Sequence, residues 1–251
     1  NHIGDKPIYY SKLKNQLIFG SEIDYILEYY KNNNIPYVLD REGAYYLLTY
    51  GYMIEKYTLF KEIYKLLPGH YILVEDEDSK ILPYYKFDNT PIDTQTELEI
   101  LENIDILFRK AIKRAFEKDL EYDYKHLVGL SGGLDSRMTT WVAHDMGYSE
   151  NIVNFTFSQS DYLDESISKQ IAVDLKHEWI FKTLDHGIFL KNIENVVKVN
   201  LGSSLYYGLS LGKSFLDYIN LDEFGIVHTG QVGGILKGYY NNGDTLKMSG
   251  M

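Results

Sequence analysis

The sequence predicts an α/β protein with two parts, and three observations carry this prediction. Short β-type runs separated by polar turns fill residues 1–90. From residue 96 onward, apolar strands alternate with helical repeats, which is typical of a parallel sheet covered by helices. Residues 88–95 between them are polar and contain a proline, which indicates a linker. We therefore expect one domain at residues 1–90 and a second at residues 96–251.

Composition narrows the classes of function. Hydrophobic residues make up 45% of the 251 residues, which is enough for a packed core. The net charge of −11 argues against nucleic acid as the main partner. The absence of cysteine excludes disulfides, thiolate metal sites and a cysteine nucleophile within this sequence. No apolar run reaches transmembrane length and no signal peptide is visible, so we expect a cytoplasmic protein with no membrane partner.

The first part is predicted to contain a β-hairpin at residues 6–19, further β runs and two helices. Its β runs lie at residues 6–10, 15–19, 66–74 and 81–87. Apolar side chains at helical spacing predict helices at residues 23–30 and 42–49, with Ser21 as a candidate N-cap of the first. Within residues 66–74, Pro68 and Gly69 predict a turn before the strand.

The second part begins with a long amphipathic helix. Thr96 and Glu99 have the spacing of a capping box, and the apolar repeat continues to about residue 118. Four apolar strands follow, at residues 126–130, 151–157, 179–183 and 225–229. The helical stretches between them start near residues 136, 167, 186 and 205. In a parallel sheet of this kind, ligands bind at the carboxyl ends of the strands.

Residues 131–136, with the sequence Ser-Gly-Gly-Leu-Asp-Ser, join the first of these strands to its helix. A strand, a glycine turn and a helix together offer backbone N–H groups to an anion at the helix N-terminus. We expect Gly132 and Gly133 to adopt positive φ and to let phosphate approach the backbone. Ser131 and Ser136 supply hydroxyl groups, and Asp135 suits the Mg²⁺ that accompanies a nucleotide. The alternative is an ordinary Gly-Gly turn, which the flanking serines and the aspartate disfavour.

Further polar residues sit near the other strand ends. Asp164 and Glu165 lie at a predicted helix start, where they either complement the helix dipole or assist a magnesium ion from outside its ligand shell. His177 beside Glu178 lacks the spacing of a metal site and is predicted to lie in a loop. Asn154 and Thr156 match a glycosylation sequon, but they fall in a strand predicted to be buried.

Residues 131–136 do not match the Walker phosphate loop. They resemble the pyrophosphate-binding loop of the ATP pyrophosphatase superfamily, whose members cleave ATP between the α and β phosphates. Residues 1–10, 19–23, 58–60 and 67–71 resemble, in order and spacing, the later part of class II glutamine amidotransferase domains. That resemblance implies an antiparallel αββα sandwich, and it places the family's cysteine nucleophile upstream of this sequence.

The two parts in this order resemble one family, the glutamine-hydrolysing asparagine synthetases. The resemblance implies a parallel-sheet PP-loop domain that binds ATP and Mg²⁺ and adenylates the side-chain carboxylate of aspartate. Ammonia derived from glutamine would then displace AMP. It assigns pyrophosphate and Mg²⁺ to residues 130–136, adenine to Phe157, and the substrate and α-phosphate to Thr229 and Gly230. The residues concerned in the loop are Leu130, Ser131, Gly132, Gly133, Asp135 and Ser136.

This sequence departs from the family in a second loop, residues 229–235, which follows the fourth strand. In the family this loop usually reads Ser-Gly-Glu-Gly-x-Asp-Glu. Here Gln231 replaces the first acid, Gly234 the aspartate and Ile235 the last glutamate. A glutamine at the predicted catalytic position of Gln231 can form hydrogen bonds but cannot act as a general base. The family's later catalytic lysine would fall beyond Met251, and the sequence starts at Asn1, so we expect a piece of a longer protein.

Three hypotheses follow. The first is an asparagine synthetase acting on aspartate, and the second is a related ligase with a different carboxylate substrate, which the altered second loop favours. The third is a nucleotide-binding protein without turnover, which the missing acids favour and Asp135 opposes. In each case we expect the partners to be small-molecule substrates and not nucleic acid. The sequence leaves open whether the protein forms a homodimer.

Overall fold

The computed structural model describes residues 1–14, 16–76, 78–88 and 94–231. The described residues form two compact units, one within residues 1–91 and 191–210, the other within residues 92–190 and 211–251. Residues 191–210 lie within the range that the sequence assigns to the second domain, yet they pack with the first unit. The mixed α/β class is confirmed, because antiparallel sheets form the first unit and a parallel sheet forms the second. Of the helices in the described ranges, none combines the length and the apolarity needed to span a bilayer.

The first unit contains two antiparallel sheets and two N-terminal helices. Its elements up to residue 83 are β1 (Tyr9–Leu13), β2 (Gln16–Gly20), α1 (Ile23–Asn32), α2 (Arg41–Tyr50), β3 (Tyr64–Lys65), β4 (His70–Glu75) and β5 (Asp78–Pro83). One sheet has the order β2-β1-β3 and the other pairs β4 with β5. The predicted hairpin is confirmed as the pair β1–β2. The structure also pairs β4 with β5, which the sequence did not predict, and the complete αββα sandwich stays a prediction.

Helix α1 supplies the core of this unit through one apolar face. Ile23, Ile26 and Tyr30 are buried together with Ile63. The hydroxyl of Tyr30 lies 2.6 Å from the buried Ser11 hydroxyl, so this ring is buried with its polar atom paired.

Two local predictions in this unit are wrong. Ser21 does not cap α1, because the helix begins one residue later, with Glu22 as its N-cap and no side-chain bond to the backbone. The last β run ends at Pro83 and not at residue 87. Pro83 pairs with His70, the first residue of β4, so β5 ends opposite the residue at which its antiparallel partner begins.

The second unit is a parallel sheet with helices between its strands. Its elements are α3 (Glu97–Leu120), β6 (Lys125–Gly129), α4 (Leu134–Asp145), β7 (Ile152–Ser158), α5 (Leu163–Leu175), β8 (Glu178–Thr183) and β9 (Phe224–His228). The sheet order is β8-β7-β6-β9, and every pair is parallel. The capping box of Thr96 and Glu99 is confirmed, with both reciprocal hydrogen bonds formed. The order brings the carboxyl ends of β6, β7 and β9 to one edge.

The connection from β8 to β9 departs in detail from the predicted helices. The stretch predicted to be helical from residue 186 is a 3₁₀ segment with positive φ at His186 and Gly187, and α6 (Ile193–Asn200) begins only after it. Helix α7 (Tyr206–Leu216) then precedes β9. Residues in left-handed backbone conformations interrupt an α-helix, so no helix runs through His186 and Gly187.

A buried polar network lies on β7, the central strand next to β6. Asn154 is fully buried, and its side-chain N–H groups donate to the Val128 carbonyl and the Thr140 hydroxyl. Its carbonyl oxygen therefore faces Nδ1 of His177, 2.8 Å away, and Nε2 of that ring lies 2.9 Å from Nδ1 of His144. His177 follows α5 in a loop, as predicted, but it is buried and hydrogen-bonded. The sequon at Asn154 is likewise buried, as expected.

This network predicts an acid-sensitive fold. Burial, reinforced by the nearby His144, lowers the pKa of His177 from 6.5 to about 4. Between these pH values the unfolded chain binds a proton that the folded chain excludes, so stability falls as the pH drops from about 6.5 to about 4. We expect a loss of roughly 1–2 kcal/mol after solvent screening. Urea unfolding at neutral and acidic pH measures it, and His177→Asn, which retains a donor toward Asn154, should reduce the pH dependence. Equal pH dependence in both proteins would contradict this assignment.

Candidate functional site

The loop between β6 and α4 is organised by its two serines. The Ser131 N–H donates to the Ser136 hydroxyl at 2.9 Å, and the two hydroxyl oxygens lie 3.0 Å apart. The Gly133 N–H donates to the Ser131 hydroxyl at 3.2 Å. The serine side chains thus fold the loop back on the first turn of α4, with both hydroxyls at the N-terminus of the helix.

The predicted positive φ of the two loop glycines is wrong. Neither Gly132 nor Gly133 lies in the left-handed region, and Gly133 is the extended N-cap of α4 with a φ of −78°. Space is the tighter constraint at Gly132, since a Cβ there would lie 3.1 Å from a carboxylate oxygen of Asp164. A side chain at this position would therefore press on the Asp164 carboxylate, whereas the backbone conformation does not call for glycine.

Asp164 binds the loop directly. It lies in the first turn of α5, as both readings of the sequence assumed, and its Oδ1 accepts the Gly132 N–H at 2.7 Å. Glu165 instead accepts the N–H of Asp161 at 2.7 Å. One N–H group expected to bind phosphate is thus already bonded to a carboxylate. An anion entering this site would meet the N-terminus of α4 and the two serine hydroxyls.

The end of β9 packs against the start of α4, backbone to backbone. A Cβ on Gly230 would lie 2.4 Å from the Ser136 nitrogen and 2.6 Å from the carbonyl carbon of Asp135. No side chain fits at such distances, so only glycine allows the second loop to approach the first. The sequence predicts that both loops meet at one site, but it does not reveal this contact.

A cleft of about 480 Å³ lies at this edge of the sheet. That volume is within the range of small-molecule sites. Its walls include, of the residues predicted from the sequence, Leu130, Ser131, Gly133, Asp135, Ser136, Phe157, Thr229, Gly230 and Gln231. Asp164 and Thr156 also line it, whereas Gly132 does not. The other positions singled out in the second loop, Gly234 and Ile235, lie outside the described residues.

Thr156 is a structural centre of the site that sequence reasoning missed. Its buried hydroxyl donates to the Leu130 carbonyl at 2.7 Å and accepts the indole N–H of Trp179 at 3.0 Å. The same oxygen lies 2.9 Å from the Ser168 hydroxyl. Thr156 thus links Leu130, which immediately precedes the loop of residues 131–136, to β8 and α5. A polar residue between two phenylalanines of an apolar strand is the signal that could have identified it.

Two more charged groups hold the surrounding loops. Arg137 donates from Nη2 to the Gly132 carbonyl at 2.5 Å. Asp185 accepts the Ser160 N–H at 2.8 Å and the Ser160 hydroxyl at 2.5 Å. The hydrogen bonds from Ser160 lower the pKa of Asp185 to about 2. The carboxylate therefore remains ionised and anchors the loop after β7 at neutral pH.

The donor set fits a nucleotide phosphate with a divalent cation. Ser131, Ser136 and the N-terminus of the twelve-residue α4 offer hydroxyl and amide groups, and Asp135 lines the same cleft. Carboxylate and phosphate oxygens together are the usual ligands of Mg²⁺. Within the described residues, the one cluster with metal-binding geometry is elsewhere, at Asp119, His126 and His228.

Comparison with known proteins gives a family match for the first part of the chain. The family model of the glutamine amidotransferase domain matches residues 1–85. Asparagine synthetase [glutamine-hydrolyzing] 1 of Bacillus subtilis is 25% identical over 195 residues, which cover 77% of this chain and 29% of that protein. The resemblance to the glutamine-hydrolysing asparagine synthetases is confirmed. This chain therefore spans less than a third of the length of that relative.

Other relatives extend the comparison. A putative asparagine synthetase 2 of Methanocaldococcus jannaschii is 29% identical over 76% of this chain and 35% of its own length. Amidase chyE of Penicillium rubens is 29% identical over 57% of this chain and 20% of its own length. The NH3-dependent NAD synthetase from Campylobacter jejuni, solved with a nitrate ion, aligns with a TM-score of 0.36 and 17% identity over 53% of this chain and 56% of that chain.

Proposed function

We propose that this chain forms part of an ATP-dependent amide-forming ligase. In this proposal the enzyme activates a carboxylate as an acyl-adenylate for attack by ammonia. The observation that supports it most is the cleft where the loop of residues 131–136, which includes Asp135, meets the end of β9. The similarity to asparagine synthetases supports the same reaction class.

In this proposal the loop residues divide the work between phosphate and metal. Ser131, Ser136 and the amide groups at the N-terminus of α4 hold pyrophosphate oxygens. Asp135 holds Mg²⁺, which neutralises phosphate charge when it is bound. Phe157, in the cleft wall, contacts adenine, and Thr229 lies near the α-phosphate. Asp164 keeps the loop in place by its bond to the Gly132 N–H.

The chemistry follows from the poor reactivity of a carboxylate toward ammonia. An oxygen of the carboxylate attacks the α-phosphorus of ATP, and the bond to pyrophosphate breaks. Ammonia then attacks the acyl carbon, AMP leaves with the bonding electron pair, and the attacking nitrogen loses a proton. Gln231 lines the cleft and can orient these groups through hydrogen bonds, but its amide has no basic electron pair to take that proton.

We propose aspartate as the first candidate substrate, since the relatives include asparagine synthetases. A different carboxylate is the second candidate, and Gln231 in place of an acid favours it. Two relatives carry the name amidase, which shows that similar sequences occur under other names. Ammonia would come from glutamine through the amidotransferase part, whose cysteine nucleophile is not among the 251 residues of this sequence.

ATP–pyrophosphate exchange on the full-length protein tests the proposal. Labelled pyrophosphate should enter ATP in the presence of Mg²⁺ and aspartate, because adenylation is reversible before ammonia is supplied. A panel of other carboxylates is run in parallel. Exchange with another acid and not with aspartate would assign the second candidate substrate.

The controls separate catalysis from binding alone. Omission of Mg²⁺ or of the carboxylate should abolish exchange in each case. ATP binding measured by calorimetry, together with no exchange for any carboxylate, would contradict the ligase and favour a nucleotide-binding protein without turnover. Absence of ATP binding would reject both hypotheses.

A further inference from the structure

A cluster of three buried side chains lies beneath the end of β9. Asp119 is in the last turn of α3, His126 in β6 and His228 at the end of β9, and all three side chains are at most 6% exposed. One oxygen of Asp119, Oδ2, lies 2.8 Å from Nδ1 of His126 and 2.6 Å from Nε2 of His228. The ring of Phe116 stacks on His228 at a centroid distance of 4.0 Å and shields the cluster.

The second oxygen of Asp119 fills an irregularity in the sheet. Lys125 pairs with Phe224 and Leu127 pairs with Val227, so two residues of β9 oppose the single residue His126. Such a β-bulge leaves a backbone group outside the regular ladder. Here Oδ1 of Asp119 accepts the Ile226 N–H at 2.7 Å.

Gly225 makes room for this carboxylate. A Cβ on Gly225 would lie 2.2 Å from Oδ1 of Asp119, so no other residue fits while the bond is in place. The glycine, the bulge and the aspartate therefore form one unit that fixes how β9 pairs with β6. A shift of one residue in a strand reverses which side chains face each side of the sheet.

We propose that Asp119 is a positioning residue for the cleft, which it serves through His228 and the bulge of β9. This inference rests on the proposed function. His228 immediately precedes Thr229, Gly230 and Gln231, which line the cleft. Because Asp119 bonds both Ile226 and His228, it holds β9 at two points just before the strand ends. The backbone contact of Gly230 with α4 depends on that register.

The geometry favours hydrogen bonds over a metal ion in this cluster. Both ring nitrogens facing Asp119 lie at normal or short hydrogen-bond distances from it. A ring that donates from Nδ1 keeps Nε2 as an acceptor, and Nε2 of His126 is buried with no hydrogen-bond partner in the described part of the chain. Each histidine then acts as a donor to one carboxylate.

Two variants of His228 in the full chain test the inference. Glutamine places an amide nitrogen near the position of the histidine Nε2 and retains the donor, whereas leucine has similar size and no donor. Hydrogen exchange followed by mass spectrometry, without substrates, reports on β9 and separately on β7. We expect β9 to exchange about tenfold faster in His228→Leu and within about twofold of wild type in His228→Gln, with β7 unchanged in both.

Binding of Mg·ATP and its KM in pyrophosphate exchange give the functional readout. The KM should rise about tenfold in His228→Leu and recover in His228→Gln. The positioning role would be overturned if hydrogen exchange in β9 were unchanged in His228→Leu. It would also be overturned if β7 lost protection from hydrogen exchange to the same extent as β9. Stabilisation of the wild type by Zn²⁺ and destabilisation by a chelator would also overturn it and assign a metal site. Suppose that hydrogen exchange in β9 rises as expected in His228→Leu while the wild-type protein binds no ATP. That result would support the role of Asp119 in fixing the register of β9 and would reject the proposed function.

Discussion

Replacing Asp135 by alanine is expected to abolish Mg·ATP-dependent pyrophosphate exchange while leaving the fold intact. Asp135 lies in the first turn of α4 and lines the cleft. Without its carboxylate, the proposed site loses its ligand for a hard cation, and the phosphate charge is no longer neutralised. We expect a fall of at least about 100-fold in exchange, since loss of one charged group at a phosphoryl site removes several kcal/mol of transition-state stabilisation.

The stability of this variant should change little. A carboxylate in the first turn of a helix contributes about 0.3–1 kcal/mol through the helix dipole. Glu150→Gln is the matched control, because Glu150 is an exposed acid that does not line the cleft. It should retain exchange and ATP affinity. Unchanged Mg·ATP affinity and exchange in Asp135→Ala would remove the basis for placing the metal there.

The loop from Ser131 to Ser136 could be predicted from sequence because its signal is local. A strand, two glycines and a helix follow one another within a dozen residues, and the order of the elements then places the loop at the carboxyl edge of the sheet. The rule that the carboxyl ends of parallel strands share one edge also predicted that residues 229–231 lie near this loop. The failure of the φ prediction at Gly132 and Gly133 has a physical reason, since glycine is compatible with positive φ, extended backbone or close packing, and the sequence does not distinguish them.

Contacts between distant side chains were beyond the sequence patterns. Asp119 and His228 are 109 positions apart, and the bond between Asp164 and Gly132 spans 32 positions. Periodicity indicates which face of an element is buried, but it does not indicate which polar side chains meet there. The hydroxyl of Thr156 shows this, because its strand was predicted correctly while its role beneath Leu130 was not. Residues 191–210 belong to the first unit although their neighbours in sequence belong to the second. This too results from contacts between residues far apart in the sequence.

Replacing Gly230 by alanine is expected to separate the two loops and disable the cleft. The added Cβ would fall 2.4 Å from the Ser136 nitrogen, and the atoms it meets are backbone atoms of α4 that cannot rotate away. Either the end of β9 or the start of α4 must move, which displaces Thr229 or Asp135. We expect a loss of about 1–3 kcal/mol in stability from this overpacking. Exchange should fall by about 100-fold, because small displacements of positioning groups are costly.

Gly212→Ala is the matched control for the size of the substitution. Gly212 lies in α7, and a Cβ there would meet nothing within 4 Å. Alanine in a helix is favoured over glycine by about 1 kcal/mol, so this variant should be slightly more stable with unchanged exchange. Urea unfolding and pyrophosphate exchange on both variants separate loss of fold from loss of the site. Full activity in Gly230→Ala would mean that the approach of the two loops is not required for catalysis.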